Sequence, residues 1–186
     1  MYNLISIDQS LTATGITIWT EKTGYVFKLL STKKTTGTKC PTIDYTRRII
    51  ELKDQIKAIC QDYNIQKGIM EGLSFGSRGA TVFDLGGLAH ATRMALIESG
   101  VDFIVIPPKT AKKHFTGSGN AKKEDMIAEA HKRDIKVSIM KKYSKTLTDF
   151  DDNVVDSVAF MFFLREYLED KLDKDFIDKV EYSTDV

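Results

Sequence analysis

The sequence predicts a mixed α/β fold: a five-stranded sheet, three strands antiparallel and then two parallel, with helices on both faces. Two patterns carry this expectation. Short apolar runs follow one another closely over the first 31 residues, and from there strands alternate with long segments of helical period. Residues 3–8, Asn3-Leu4-Ile5-Ser6-Ile7-Asp8, read as a buried strand. Residues 14–20, Thr14-Gly15-Ile16-Thr17-Ile18-Trp19-Thr20, alternate with period two, as a half-buried strand does. Tyr25 to Ser31 is the third strand, turned by Lys22-Thr23-Gly24, and the three form a meander. A helix of about 20 residues follows near Ile43–Tyr63, with Ile49, Leu52, Ile56 and Ile59 at spacings of three and four. Lys67–Glu71 is a short strand, and Arg78–Ser99 is a helix with Val82, Leu85, Leu88 and Ala89 on one face. Val101–Ile106 is the fifth strand, stopped by Pro107-Pro108. Ala121–Arg133 is a helix capped by Asn120, with Lys123-Glu124 in its first turn. A helix near Asp151–Asp170 closes a single domain of residues 1–170, and residues 171–186 form a loosely packed acidic tail. Crossover connections place the fourth strand beside the first, so Asp8 and Glu71 end adjacent strands.

The chain has 186 residues and is 42% hydrophobic, enough for a real core in one domain. Its formal net charge is only +1, but the charge is unevenly spread. Residues 107–147 hold 11 Lys/Arg against 4 Asp/Glu, and residues 148–186 hold 4 against 12. A basic segment beside an acidic one suits a protein that grips a polyanion next to a cation site; two solvated surfaces would read the same way. Cys40 and Cys60 form no Cys-x-x-Cys, and no zinc-ligand spacing accompanies the three histidines. Reduced thiols and a cytoplasmic location are expected. There is no secretory signal and no run of apolar residues long enough to cross a bilayer.

The chemistry is carried by carboxylates at the ends of apolar runs. Asp8 closes the first, Glu71 the fourth, and Asp152 and Asp156 open the apolar helix that continues to Leu164. Four residues apart on a helix, Asp152 and Asp156 share one face. Converging carboxylates repel one another unless divalent cations lie between them, and four acids can hold two ions roughly 3.5–4 Å apart. Taken singly, Asp8 could serve a turn, Glu71 a solvated strand end and Asp152 a helix cap. Asp156 lies inside an apolar run and needs a partner. Oxygen ligands imply Mg²⁺, with Mn²⁺ as the alternative, and through it reactions at phosphate. Two further residues qualify as general bases: His90, whose mid-helix position equally suits packing, and His114, in the basic segment.

Ile7-Asp8-Gln9-Ser10 with Thr14-Gly15, Met70-Glu71, Leu85-Gly86 followed by Ala89, Gly117-Ser118-Gly119-Asn120-Ala121-Lys122-Lys123, and Asp152 with Asp156-Ser157-Val158-Ala159 occur in that order. In order and spacing, over about residues 3–165, the chain resembles the RuvC-type Holliday junction resolvases of the RNase H-like superfamily. The resemblance implies an RNase H-like fold, a homodimer acting on branched DNA, and paired symmetric nicks at four-way junctions by metal-dependent hydrolysis, with two ions per site. It carries Asp8, Glu71 and Asp156 over as metal ligands. Bacterial members commonly place the fourth acid three residues before the last Asp, where this chain has Asn153. Mitochondrial and some viral members place it four before, where this chain has Asp152. Asp152 is the expected ligand, and Asn153 a weaker one through its carbonyl oxygen. By family position Lys112 and Lys123 touch the scissile phosphate region, with Lys113 and Lys122 beside them around the flexible Gly117-Ser118-Gly119 loop. Phe75 is placed to stack on an unpaired base, or else to pack in the core, and Arg78 to meet backbone phosphate. Length and the lack of a targeting segment point to a phage-encoded member. The helix Arg78–Ser99, presenting Leu85, Leu88, Met94 and Leu96 beside Gly86-Gly87, is the expected dimer face. Alternatives are an RNase H-like nuclease of broader branched-DNA or RNA specificity, and a junction-binding protein without catalysis. A kinase-like or actin-like ATPase would need a second domain.

Overall fold

A computed structural model describes residues 1–37, 40–72, 80–133, 135 and 152–182; at 80–82, 84, 152–153 and 181–182 the description is of the backbone alone. The elements are β1 (Leu4–Asp8), β2 (Thr14–Thr20), β3 (Gly24–Leu30), α1 (Pro41–Asp62), β4 (Lys67–Glu71), α2 (Ala80–Glu98), β5 (Asp102–Ile106), α3 (Pro108–Thr116), α4 (Lys123–Lys132), α5 (Asp152–Leu168), α6 (Lys174–Ile177) and β6 (Glu181–Tyr182). The expected five strands lie in the order β3-β2-β1-β4-β5, and β6 adds two residues antiparallel to the outer edge of β5. β1 pairs antiparallel with β2 and parallel with β4; β4 pairs parallel with β5.

Side chains alternate across this sheet and divide the core in two. Ile5, Ile7, Ile16, Ile18, Met70 and Val105 pack under α1 and α2 with Ile56, Ile59, Ala89 and Leu96. Leu4, Phe27, Ile69, Ile104 and Ile106 pack under α3, α4 and α5 with Phe115, Met126, Val158 and Phe163. The helix α5 lies between the sheet and α3–α4, which explains why Val154, Val155, Val158, Ala159, Phe160, Met161, Phe163 and Leu164 are all buried rather than confined to one stripe. Each large side chain among them contributes about 1.5–3 kcal/mol on burial, so α5 is the most firmly seated helix on this face.

The structure departs from the sequence reading in several places. Pro107-Pro108 ends β5 as expected, but Pro108 is also the first residue of α3, where its missing N–H costs nothing. Lys112, Lys113 and His114 therefore stand on a helix. Gly117 caps that helix at φ +85, and Gly119 packs so closely that an added Cβ would lie 3.1 Å from the Lys109 carbonyl oxygen. The glycine-rich segment is thus a tight, bonded turn between α3 and α4. The cap of α4 is Lys122, not Asn120, and its N–H donates to the Asp125 carboxylate (3.0 Å). On α2, Leu88 and Leu96 belong to the core, while Phe83, Met94 and Ile97 stand outward. The expected helix start at Arg78 lies outside the described residues.

Candidate metal centre

Sheet parity sets the first two carboxylates. Leu4, Ser6 and Asp8 share a face of β1, and Ile69 and Glu71 share the same face of β4, the one that α5 covers. The parallel register Ile7↔Met70 brings Asp8 and Glu71 side by side at the strand ends. β4 continues one step beyond Glu71: Gly72 N–H donates to the Ile106 carbonyl (2.8 Å), and a Cβ on Gly72 would press on Ile106 and Val105 at 3.3–3.4 Å. The Gln9 side-chain amide donates to the Glu71 carbonyl (3.2 Å), tying the loop after β1 to the end of β4.

The helix α5 brings the third. Ser157, the residue after Asp156, is fully buried against β1 and β2. Its hydroxyl lies 2.8 Å from Thr17 Oγ1 and donates to the Val154 carbonyl (2.7 Å), while Ser6 Oγ donates to the Ser157 carbonyl (2.6 Å). Three hydroxyls thus dock the N-terminal part of α5 on the strands that lead to and from Asp8. Sequence reasoning takes Ser157 only as part of its last motif and singles out neither Ser6 nor Thr17. The signal was there: Ser6 and Thr17 are polar residues at inward positions of otherwise apolar strands.

The three carboxylates lie within range of one another's charge. Asp8 is pushed well above the ordinary carboxylate range, first by removal from water, then by the Glu71 charge and a hydrogen bond shared with Glu71, then by Asp156; Lys123 opposes the shift. Glu71 is also raised, chiefly by burial and by Asp156, against the bond to Asp8 and the charges of Lys112 and Lys123. Asp156 is held differently. Its Oδ2 accepts from Lys123 Nζ at 2.6 Å, and Lys112 Nζ lies 3.8 Å from its Oδ1. That Oδ1 is buried without a hydrogen bond.

These residues fit hard divalent cations. The donors are all oxygen, two carboxylates are forced together at an energetic cost, and a third offers a buried lone-pair atom with no donor. Among the described residues no three such groups are spaced as ligands of one ion, and Asp156 is paired with Lys123 and Lys112. The side chains of Asp152 and Asn153 are not described, so only the backbone of the α5 N-terminus bears on the fourth ligand.

The other expected site residues are spread more widely. Lys112 and Lys123 reach the carboxylates. Lys113 lies over the Phe176 ring (5.9 Å) and Lys122 is exposed at the α4 cap. Phe75 and Arg78 lie outside the described residues. His114 is no phosphate-facing base: its side chain is 7% exposed, its Nε2 lies 2.8 Å from Glu166 Oε2, and it packs edge-on against Phe163 and Phe176. His90 is exposed on α2.

Comparison with known proteins bears on the fold and the family. The family model described as crossover junction endodeoxyribonuclease RuvC matches residues 4–146, a span that includes Asp8, Glu71, Lys112 and Lys123 and ends before α5. No curated protein matches the sequence. Thermus thermophilus RuvC has the same fold (TM-score 0.60, 16% identity, 97% of this chain and 99% of that chain covered). So does T. thermophilus RuvC in complex with a Holliday junction substrate (0.61, 15%, 98% and 100%). The yeast mitochondrial Holliday junction resolvase Ydc2 is more distant (0.52, 14%, 91% and 84%). With a family match over most of its length, the chain belongs to the RuvC family of crossover junction endodeoxyribonucleases.

Proposed function

We propose that this protein is a divalent-metal-dependent endonuclease that resolves four-way DNA junctions by paired, symmetric nicks. The observation that carries the reading is that Asp8, Glu71 and Asp156, from β1, β4 and α5, lie within range of one another's charge, with Lys112 and Lys123 against Asp156, in a chain of this family. Asp8, Glu71 and Asp156 hold the cations, Mg²⁺ or Mn²⁺ and two per site, with Asp152 or Asn153 as the further ligand. Cations bound there supply an activated water and charge stabilisation at the leaving 3′ oxygen. Lys123 and Lys112 shield the carboxylates from one another before DNA binds. They then offer their ammonium groups to the incoming phosphate, where charge develops. Lys113 and Lys122, beside them, add backbone contacts, and Phe75 and Arg78, after β4, address the junction centre.

A second copy of the chain completes the enzyme in this reading, because a two-fold junction needs two sites. Phe83, Met94 and Ile97 are 83%, 50% and 48% exposed and follow one stripe of α2 with Gly87 and His90. Ile43 and Ile50 stand exposed on the neighbouring α1. Such an apolar face suits a self-complementary interface. The direct test is cleavage of a synthetic four-way junction with Mg²⁺ by wild type and by Asp8→Asn, run beside flap, duplex and RNA–DNA hybrid substrates. Symmetric nicks by wild type alone support the reading. Equal cutting by both proteins removes the metal site, preference for another substrate makes this a broader nuclease, and junction binding without product leaves a binding protein.

A further inference from the structure

We infer a second phosphate-binding ledge on the far side of the carboxylates from Lys112 and Lys123, built from Lys33 and Lys34 in the segment between β3 and α1. The inference rests on the reading of the chain as a DNA-cutting enzyme and extends its footprint. From Lys22 to Ile43 the chain has five lysines and no acidic residue. Leu30 pairs with Thr14, so the segment leaves the sheet at the end where Asp8 and Glu71 lie. It is also clamped. Thr32 Oγ1 donates to the Leu11 carbonyl (2.7 Å), and the buried Arg48 donates from Nε to Thr32 Oγ1 (2.8 Å) and from Nη2 to the same Leu11 carbonyl (3.2 Å). Two residues on from Lys33, the Thr35 N–H donates to the buried Asp44 carboxylate (2.9 Å), and Arg47 bonds to both Asp44 and Thr35.

The clamps bracket Lys33 and Lys34, which are exposed and have no acidic partner among the described residues. Ordering a segment that carries two unpaired cations costs conformational entropy and brings like charges together. A polyanion recovers that cost. Leu11 is three residues past Asp8, so its Cα is at most about 11 Å from that of Asp8. Strand order sets β4 and β5 on one side of Asp8, and β2, β3 and this ledge on the other; α3 starts from the end of β5. Lysines on both flanks make the carboxylate mouth the middle of a trough. One DNA strand carries a phosphate about every 3.4 Å along the helix axis, so a ledge tied to Leu11 meets phosphates a few steps from the cut.

The test is junction affinity in EDTA, read by fluorescence anisotropy over a salt series, for wild type and Lys33→Gln/Lys34→Gln. Each lost phosphate contact lowers the slope of log K against log salt by about 0.9, so two lower it by about 1.8. From about 50 to about 200 mM salt, wild type should then lose about 12-fold more affinity than the double variant. As a control, Lys171→Gln/Lys174→Gln changes two lysines beyond the other end of α5 and should leave the slope as in wild type. If wild type binds and cuts the junction but the Lys33/Lys34 variant keeps its slope, the ledge is refuted. The same holds if the control lowers the slope equally. If wild type neither binds nor cuts, the functional reading itself fails instead.

Discussion

Removing the Ser157 hydroxyl tests how α5 is seated. In Ser157→Ala the Val154 carbonyl keeps its helical role, and Ser6 still donates to the backbone carbonyl of residue 157. The buried Thr17 hydroxyl loses its only partner among the described residues, 2.8 Å away. An orphaned buried hydroxyl costs about 1–3 kcal/mol, and the better helix propensity of alanine returns about 0.5. The net loss is about 0.5–2.5 kcal/mol, or a fall in Tm of about 1–10 °C for a protein of this size. Thr17→Val alone should cost about 1 kcal/mol, because Ser157 keeps its bond to Val154. The double variant should then recover most of the Ser157→Ala loss, giving a coupling of about 1–2 kcal/mol by urea denaturation. Because Asp156 precedes Ser157, the single variant should also lower junction cleavage, on the scale of about 100-fold for a misplacement of about 1 Å. Additive single effects, within about 0.5 kcal/mol, with cleavage unchanged would refute this account of how Asp156 is positioned.

Three further outcomes are expected. Asp8→Asn should reduce cleavage by about three orders of magnitude, about 4 kcal/mol of barrier, yet raise metal-free stability at neutral pH, because the charge it removes is buried against Glu71. A variant less stable than wild type in EDTA would contradict this. Since Asp8 and Glu71 are both raised, the stability they contribute is fully present below their ordinary values of 3.8 and 4.5 and is lost as pH rises through the higher folded values. Asp44, Glu98, Glu129 and Glu169 are shifted the other way, so the readout is the difference between wild type and Asp8→Asn in EDTA. That difference should move against wild type with rising pH, and Mg²⁺ should abolish the trend. Last, Met94→Glu with Ile97→Glu should convert a dimer to a monomer in sedimentation; an unchanged dimer would place the interface elsewhere.

Much of the fold was legible because apolar period separates strands from helices. β2 and β4 match their expected bounds, and the Asp8–Glu71 adjacency follows from strand order alone. What was not legible had competing signals. Pro107-Pro108 stops a strand and starts a helix with the same residues, so the sequence reading assigns α3 no element. The two-residue β6 has too few positions to show a period. Leu88 and Leu96 look like interface residues on a helix that is apolar all round, and only packing against α1 and the sheet separates them from Met94 and Ile97. At the site, residue type located the carboxylates, but the Ser6–Thr17–Ser157 contact spans 151 residues of sequence and leaves no local pattern.

The central claim is that three carboxylates far apart in the chain jointly hold divalent cations. Titration of Mn²⁺ into wild type, Asp8→Asn, Glu71→Gln and Asp156→Asn, followed by the loss of the free-ion EPR signal, tests it without reference to any substrate. Wild type should bind Mn²⁺, and each of the three substitutions should weaken that binding at least about tenfold, about 1.4 kcal/mol. Wild-type affinity retained in any one of them would show that its carboxylate stands outside the shared site.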